Sequence, residues 1–357
     1  MVPVSRGKVA FLVGAGLVAD AGLPVSTGLA TNLKAHLQAL ASDADNLGLL
    51  HLEVYRFLNG AIRFQRGLLN RDPEEPINIE QLATAALRLS ARGESPLAPY
   101  VSGWIPKLTD LEARSPGVLQ SFITMIYERL EGWLTQTDTE QISYLKSFLD
   151  FSEFGQVDIF SLNYDLCIET AFQKVARQKF CTGFAETGWD PALLETGEVP
   201  RLFKLHGSLD WVEDDAFGLC SLEYPRHIEA EQFEGEQPPL LIFGTDAKLT
   251  GREPFLTLLY WFSTRLAQAE LLVTIGYSFM DGHINEIVEQ RLRSNSRLKL
   301  LVVGRNPLQT IDSVPFLRKN PRVFSIQKGA RAGLQDSSVL VRCRDLLKQA
   351  EDEDSPF

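Results

Sequence analysis

His206 stands at the mouth of an apolar run, in LFKLHGSLDW (202–211), directly before Gly207 and Ser208. Imidazole has an ordinary pKa of about 6.5, so it can accept a proton from water or from a sugar hydroxyl near neutral pH. A satisfied structural histidine accounts for the same placement when the residue is taken alone. A second polar tip, Asn163-Tyr164-Asp165, ends the run IFSL (159–162). Asn and Asp are also good helix caps, so either one can simply close the backbone of the segment that follows. A third constellation is GAGLVADAG (14–22), where Gly14, Gly16 and Ala19 make a G-x-G-x-x-A pattern around Ala15. Backbone N–H groups at such a turn can cradle a pyrophosphate, and a tight turn without ligand explains the pattern equally well. Two further tips carry Gly276, Ser278 and Asp281 in LLVTIGYSFMDGHINEIV, and Gly304 and Asn306 in LLVVGRNP.

Each of these groups follows a short apolar run of strand length. KVAFLV (8–13) leads into the glycine loop, and residues 17–40 then take helical spacing, which predicts strand, turn and helix. VDIFSL (157–162), LFKL (202–205), LLIF (240–243), LLVTI (271–275) and LKLLVV (298–303) repeat the theme, several of them separated by helix-length segments. Continuous apolar strands suit a mostly parallel sheet with helices on both faces, and in such folds ligands bind at the carboxyl ends of the strands. The expected class is therefore α/β and Rossmann-like. Four strand tips carrying Gly, Asn, Asp, Ser and His would converge on one carboxyl-end crevice, which makes coincidence the poorer explanation. An ordinary dinucleotide unit would next supply a second strand ending in an acidic residue about twenty positions on. KAHLQALASDADN offers no such strand, so a ribose would have to be held another way.

Between 45 and 153 the strand signal is absent, and Val118, Phe122, Met125, Ile126, Leu130 and Trp133 recur at three- and four-residue intervals. This predicts a helical insertion over 45–153 within a single domain 1–345, whose core comprises 1–44 and 154–345. The acidic end, 346–357, is expected to be a disordered, solubilising tail.

Bulk properties narrow the function classes. With 35 basic against 46 acidic residues the formal charge is -11, so a nucleic-acid backbone would be met by an unfavourable field, and no direct nucleic-acid binding is expected. Cys167, Cys181, Cys220 and Cys343 include no C-x-x-C pair, which speaks against a zinc module or a disulfide framework and for a reducing cytoplasm. Gly14, Gly16 and Asp20 interrupt the N-terminal apolar run, and no other run nears eighteen residues, so no membrane association is expected. His36, His51, His227 and His283 lack a setting like that of His206 and are read as structural or exposed.

Taken together and in this order, the segments resemble the sirtuin family. GAGLVADAGLP resembles its Gly-Ala-Gly signature with a later Gly-aliphatic-Pro, LNYD its Gln-Asn-Ile-Asp segment, and KLHGS its catalytic histidine segment. GYS and GRN resemble its later ribose-phosphate and adenosine contacts. The resemblance implies NAD+ as substrate, with Asn163, Asp165 and His206 catalytic. It assigns Gly14, Ala15, Gly16, Gly276, Ser278, Gly304 and Asn306 to holding the dinucleotide, with no metal. The paired cysteines of the protein deacylases are missing, Val25-Ser26-Thr27 stands where they carry Asp-Phe-Arg, and Val18 replaces the usual serine. With GYSFMDGHIN and the helical insertion, these departures resemble the sirtuin-like NAD+ hydrolases of bacterial antiphage defence. That likeness implies nicotinamide and ADP-ribose as products, a homo-oligomer, and a companion protein such as a HerA-type ATPase or another activator. The short stretch after residue 345 favours an activator in trans. A protein deacylase and a non-catalytic NAD+ or ADP-ribose sensor are the competing expectations.

Overall fold

The computed structural model describes residues 8–42, 45–91, 105–136, 138–195, 197, 199–214, 218–222, 240–241 and 253–354. The chain divides into two compact units, one formed by Met1–Leu23 with Thr135–Phe357 and the other by Pro24–Leu134.

The first unit is built on a six-stranded sheet: β1 (Val9–Val13), β2 (Asp158–Ser161), β3 (Arg201–Lys204), β4 (Leu271–Ile275), β5 (Lys299–Gly304) and β6 (Val323–Gln327). Its order is β6-β5-β4-β1-β2-β3 and every pairing is parallel. Read from the other edge this is 3-2-1-4-5-6, the doubly wound dinucleotide order, with its switch point between β1 and β4. Side chains alternate across the sheet with period two. Ala10, Leu12, Phe160, Phe203, Leu272, Leu300 and Val302 join one core with Phe262 and Leu266 of the helix Phe255–Gln268 and Ile284 and Val288 of the helix Gly282–Ser294. On the opposite face Phe11 meets Phe148 and Phe151 edge-on, at ring centroid distances of 5.1 and 4.8 Å, from the 3-10 segment Ser143–Phe154. Both faces are therefore covered, which is why these strands read as unbroken apolar runs.

The strand starts are pinned by a buried ion group. Arg201, 1% exposed, makes two bonds to the Asp158 carboxylate at 2.7 and 2.8 Å, and Arg265 approaches the same carboxylate at 3.2 Å. Both guanidinium groups also lie over the Trp261 ring.

Four expectations change in detail. LLIF adds no strand to the main sheet: Leu241 makes an isolated antiparallel bridge to Gly207, and 242–243 lie outside the described residues. The glycine loop does not run straight into a helix. Two 3-10 turns, Ala15–Leu17 and Ala19–Ala21, come first, Gly22 ends them at φ 89°, and the helix begins only at Ser26. The helical unit starts at Pro24 and ends at Leu134 rather than spanning 45–153, because 143–154 packs under the sheet through Phe148 and Phe151. The last helix runs Ser338–Asp354, so 346–354 is helical rather than a disordered tail; Val339, Cys343, Leu346 and Leu347 recur at helical spacing and are buried.

Within Pro24–Leu134, the helices Ser26–Ser42, Asn46–Leu68, Ile79–Ser90, Ile105–Arg114 and Val118–Leu134 bury apolar stripes such as Phe122, Ile126 and Leu130. Asn78 and Gln81 form a reciprocal capping box. His51 is buried there and meets Ser121 Oγ at 2.8 Å, a structural role. No described helix is long and apolar enough to cross a membrane.

Candidate active site at the carboxyl edge of the sheet

The strand register brings the polar tips together. Val13 is level with Ser161 and Ile275, Ser161 with Lys204, and Ile275 with Val303. One residue further lie Gly14, Leu162, Leu205, Gly276 and Gly304; the next step reaches Ala15, Asn163, His206, Tyr277 and Arg305. All these tips therefore sit on one edge, the edge where this fold binds ligands.

Asn163 and His206 occupy equivalent positions on neighbouring strands, and both are buried, at 7% and 3% exposure. The Asn163 N–H donates to Ser161 Oγ at 3.1 Å, while its side-chain Nδ2 is buried without a protein partner. Neither ring nitrogen of His206 makes a hydrogen bond within the protein, nor does Ser208 Oγ or one carboxylate oxygen of Asp210. Buried polar atoms are nearly always satisfied, so this concentration of orphans marks a place prepared for a ligand or ordered water. His206 Nε2 does lie 2.9 Å from Asp281 Oδ2, although the ring does not aim an N–H along that line.

Asp165 is buried, and one of its oxygens accepts the Cys167 N–H at 3.0 Å, so the capping role is real for half of its carboxylate. Behind it lies a group that sequence reasoning missed. Lys204, 2% exposed, donates to the Asp165 carbonyl and to Glu169 Oε1, the latter at 3.1 Å. Burial pushes the Glu169 carboxyl up to about 7, with Lys204 opposing. Burial alone would lower Lys204, but Glu169, Asp165 and Asp210 together raise it. The signal available was a lysine between Phe203 and Leu205 in the run LFKL, which must find a counter-charge once buried.

Glycines at the switch point are explained by packing. A Cβ on Gly276, at φ 64°, would lie 2.2 Å from the Leu17 nitrogen and 2.3 Å from the Gly16 carbonyl carbon. The Gly14 N–H donates to Ile275, that of Gly16 to Gly276 and that of Leu17 to Gly14, so these three donors are committed within the protein. Gly207, at φ 88°, admits the Leu240 carbonyl, which would sit 2.0 Å from a Cβ. Ser278 and Asn306 are exposed, and Gly304 is half-buried at the end of β5. A cavity of about 480 Å³ lined by Asp20, Arg305, Gly329, Arg331, Ala332 and Gln335 reaches this tip through Arg305, which is paired with Asp20 at 2.5 Å.

Residues 157–320 match the family described as SIR2-like domain. The matched SIR2-like segment contains Asn163, Asp165, His206, Gly276, Ser278, Gly304 and Asn306, while the Gly14–Gly16 loop precedes it. Among solved structures, similarity extends to a Sir2 homologue variant in complex with 2'-O-acetyl ADP-ribose, with 13% identity, 99% of this chain and 96% of that chain covered, and a TM-score of 0.43. A Sir2 homologue in complex with NAD is 14% identical, with 98% and 92% covered and a TM-score of 0.41. A Sir2 complex with a p53 peptide and NAD+ is 12% identical, with 93% of each chain covered and a TM-score of 0.41. No curated protein matches the chain. Among the described residues no group of three or more His, Cys, Asp or Glu side chains is arranged to hold a metal ion, and none of the four cysteines forms a disulfide.

Proposed function

We propose that the chain is an NAD+ hydrolase that cleaves the bond between nicotinamide and ribose to give nicotinamide and ADP-ribose. The observation that carries this reading is the pair of buried, unpartnered groups Asn163 Nδ2 and His206 on adjacent strand tips of a SIR2-like domain. Nicotinamide leaves as a neutral base, so departure needs no general acid, unlike ordinary glycoside hydrolysis. What the site must supply is a base and orientation. His206 takes the proton from the attacking water, and Asn163 orients that water and the ribose. Asp165 receives the nicotinamide carboxamide on the oxygen its cap does not use. Gly14, Ala15, Gly16, Gly276 and Ser278 line the pyrophosphate side, Gly14 and Gly16 by the close approach that a missing side chain allows, since their N–H groups are bonded within the protein, and Gly304 and Asn306 line the adenosine side.

Unrestrained hydrolysis would drain the cell's NAD+, so activity is gated by self-assembly or by a companion protein. Antiphage defence by NAD+ depletion is the setting that GYSFMDGHIN and the absence of paired cysteines favour. The test is to incubate the chain, alone and co-expressed with its genomic neighbours, with NAD+ and to quantify nicotinamide and ADP-ribose. Release by the wild type that Asn163→Ala and His206→Ala each reduce at least about 100-fold is expected. Turnover of an acetyl-lysine peptide with stoichiometric NAD+ consumption would instead make it a deacylase, and NAD+ binding without turnover a sensor.

A further inference from the structure

We infer that the cavity beside the tip of β5 is an anion site that takes a phosphate monoester, with Arg305 and Arg331 as its cations. The site goes beyond the hydrolase reading and does not depend on it. The cavity, of about 480 Å³, is lined by Asp20, Arg305, Gly329, Arg331, Ala332 and Gln335. That volume lies within the range of small-ligand sites. Three segments of the sheet-bearing unit form it: the glycine loop supplies Asp20, the residue after β5 is Arg305, and the stretch after β6 supplies the other four. Gly304 is level with Gln327, so these two walls leave neighbouring strands on the same carboxyl edge. Gly329 lets the chain pass close to the glycine loop, because a Cβ there would lie 2.7 Å from Asp20 Oδ2.

The charges on this lining do not balance. Two guanidinium groups face a single carboxylate, that of Asp20, which leaves the wall net positive. Asp20 Oδ1 meets Arg305 at 2.5 Å, and Oδ2 accepts the backbone N–H of Arg331 at 3.0 Å. The Arg331 guanidinium itself donates to uncharged oxygens: the Asp20 carbonyl at 2.8 Å, the Gln141 carbonyl at 2.8 Å and Gln141 Oε1 at 2.7 Å. Its Nε is buried and makes no hydrogen bond within the protein, and its plane lies 5.3 Å from the centre of the Tyr144 ring. These contacts orient a cation without neutralising it. Lys328, one residue before the lining, is already paired with Asp336. The Arg305 side chain is 70% exposed, and an ion pair so open to water is held weakly, so an anion of higher charge can draw Arg305 away from Asp20. A phosphate monoester carries a charge of about -1.5 to -2 at neutral pH and three acceptor oxygens that suit the forked donors of arginine. It arrives either on the ribose of a dinucleotide lying along the strand ends or on a separate small molecule; the chemistry recognised is the same.

The experiment titrates inorganic phosphate by calorimetry, at low ionic strength, into the wild type, Arg305→Ala, Arg305→Lys and Asp20→Asn. Arg305→Ala should weaken binding at least about 10-fold, and Arg305→Lys, which keeps the charge and loses the fork, should fall between it and the wild type. Asp20→Asn removes the competing charge while keeping an oxygen for the Arg331 N–H, and it should tighten binding about 3- to 10-fold. NADP+ and NAD+ titrated into His206→Ala tell the two sources apart. NADP+ binding at least about 10-fold tighter than NAD+, with the difference lost when Arg305→Ala is added, assigns the phosphate to the dinucleotide. Equal affinities, with inorganic phosphate still binding to the NAD+-saturated protein, assign it to a separate ligand. Equal affinities with no phosphate binding would overturn the inference. So would phosphate that NAD+ displaces and that Arg305→Ala does not weaken, because such binding belongs to the pyrophosphate side of the crevice. Arginine-dependent phosphate binding by a chain that releases no nicotinamide would remove the hydrolase reading and leave this site standing.

Discussion

Lys204 shows how a side chain that touches no ligand can govern those that would. Its ammonium ties the Asp165 carbonyl to Glu169, so the loop carrying Asn163 and Asp165 is held by a charge with no access to water. Glu169 retains an uncommitted oxygen, and its carboxyl titrates at about 7. That value lies above the roughly 4.3 of an unfolded glutamate, so folding favours the protonated form. The contribution to stability is complete below pH about 4.3 and is lost as pH rises through about 7. Glu169→Gln should therefore flatten the dependence of Tm on pH between those limits, measured by calorimetry at constant ionic strength; an unchanged slope would mean that Lys204 holds Glu169 ionised throughout. His206, Asn163 and Asp165 were legible in the sequence because each follows an apolar run. Glu169 was harder to read as a site residue, since its importance comes from a neighbour 35 positions away, which no local pattern encodes.

Between β1 and β4 two loops touch backbone to backbone, and this contact makes the glycines necessary. Gly276→Ala combines a strained φ with a clash against fixed backbone, and it should destabilise the chain by about 2–4 kcal/mol in urea unfolding. A loss under about 0.5 kcal/mol would show that the Gly16 and Gly276 loops can separate freely. The sequence pattern G-x-G-x-x-A was visible, but its meaning differed: three of the loop's N–H groups are spent on internal carbonyls, and 3-10 turns stand where a helix was expected. Alternation and apolar runs identify strands well, whereas the conformation between them depends on which backbone groups find partners after the sheet assembles. LLIF illustrates the same limit, because an apolar run is also what packs at a bridge beside Gly207.

At the scale of the whole chain, the doubly wound order was foreseeable in class, from five of its six strands, but not in sequence of neighbours. β6 (Val323–Gln327) is only partly buried and carries a weaker apolar signal. Among the described residues the polar tips of five strands meet at the carboxyl edge of the sheet, and NAD+ bound there would stabilise the folded state by mass action. His206→Ala, which should bind without turnover, is expected to gain about 2.7 kcal/mol at 100 times Kd, read as a rise in Tm with NAD+ concentration. No shift at millimolar NAD+ would contradict a dinucleotide site. The central claim is tested most directly by chromatographic measurement of nicotinamide released from NAD+ by the wild-type chain, with its co-expressed neighbours, beside Asn163→Ala and His206→Ala. Release that both substitutions abolish is the predicted result; release that persists in either variant would contradict the assignment of these two residues to the chemistry.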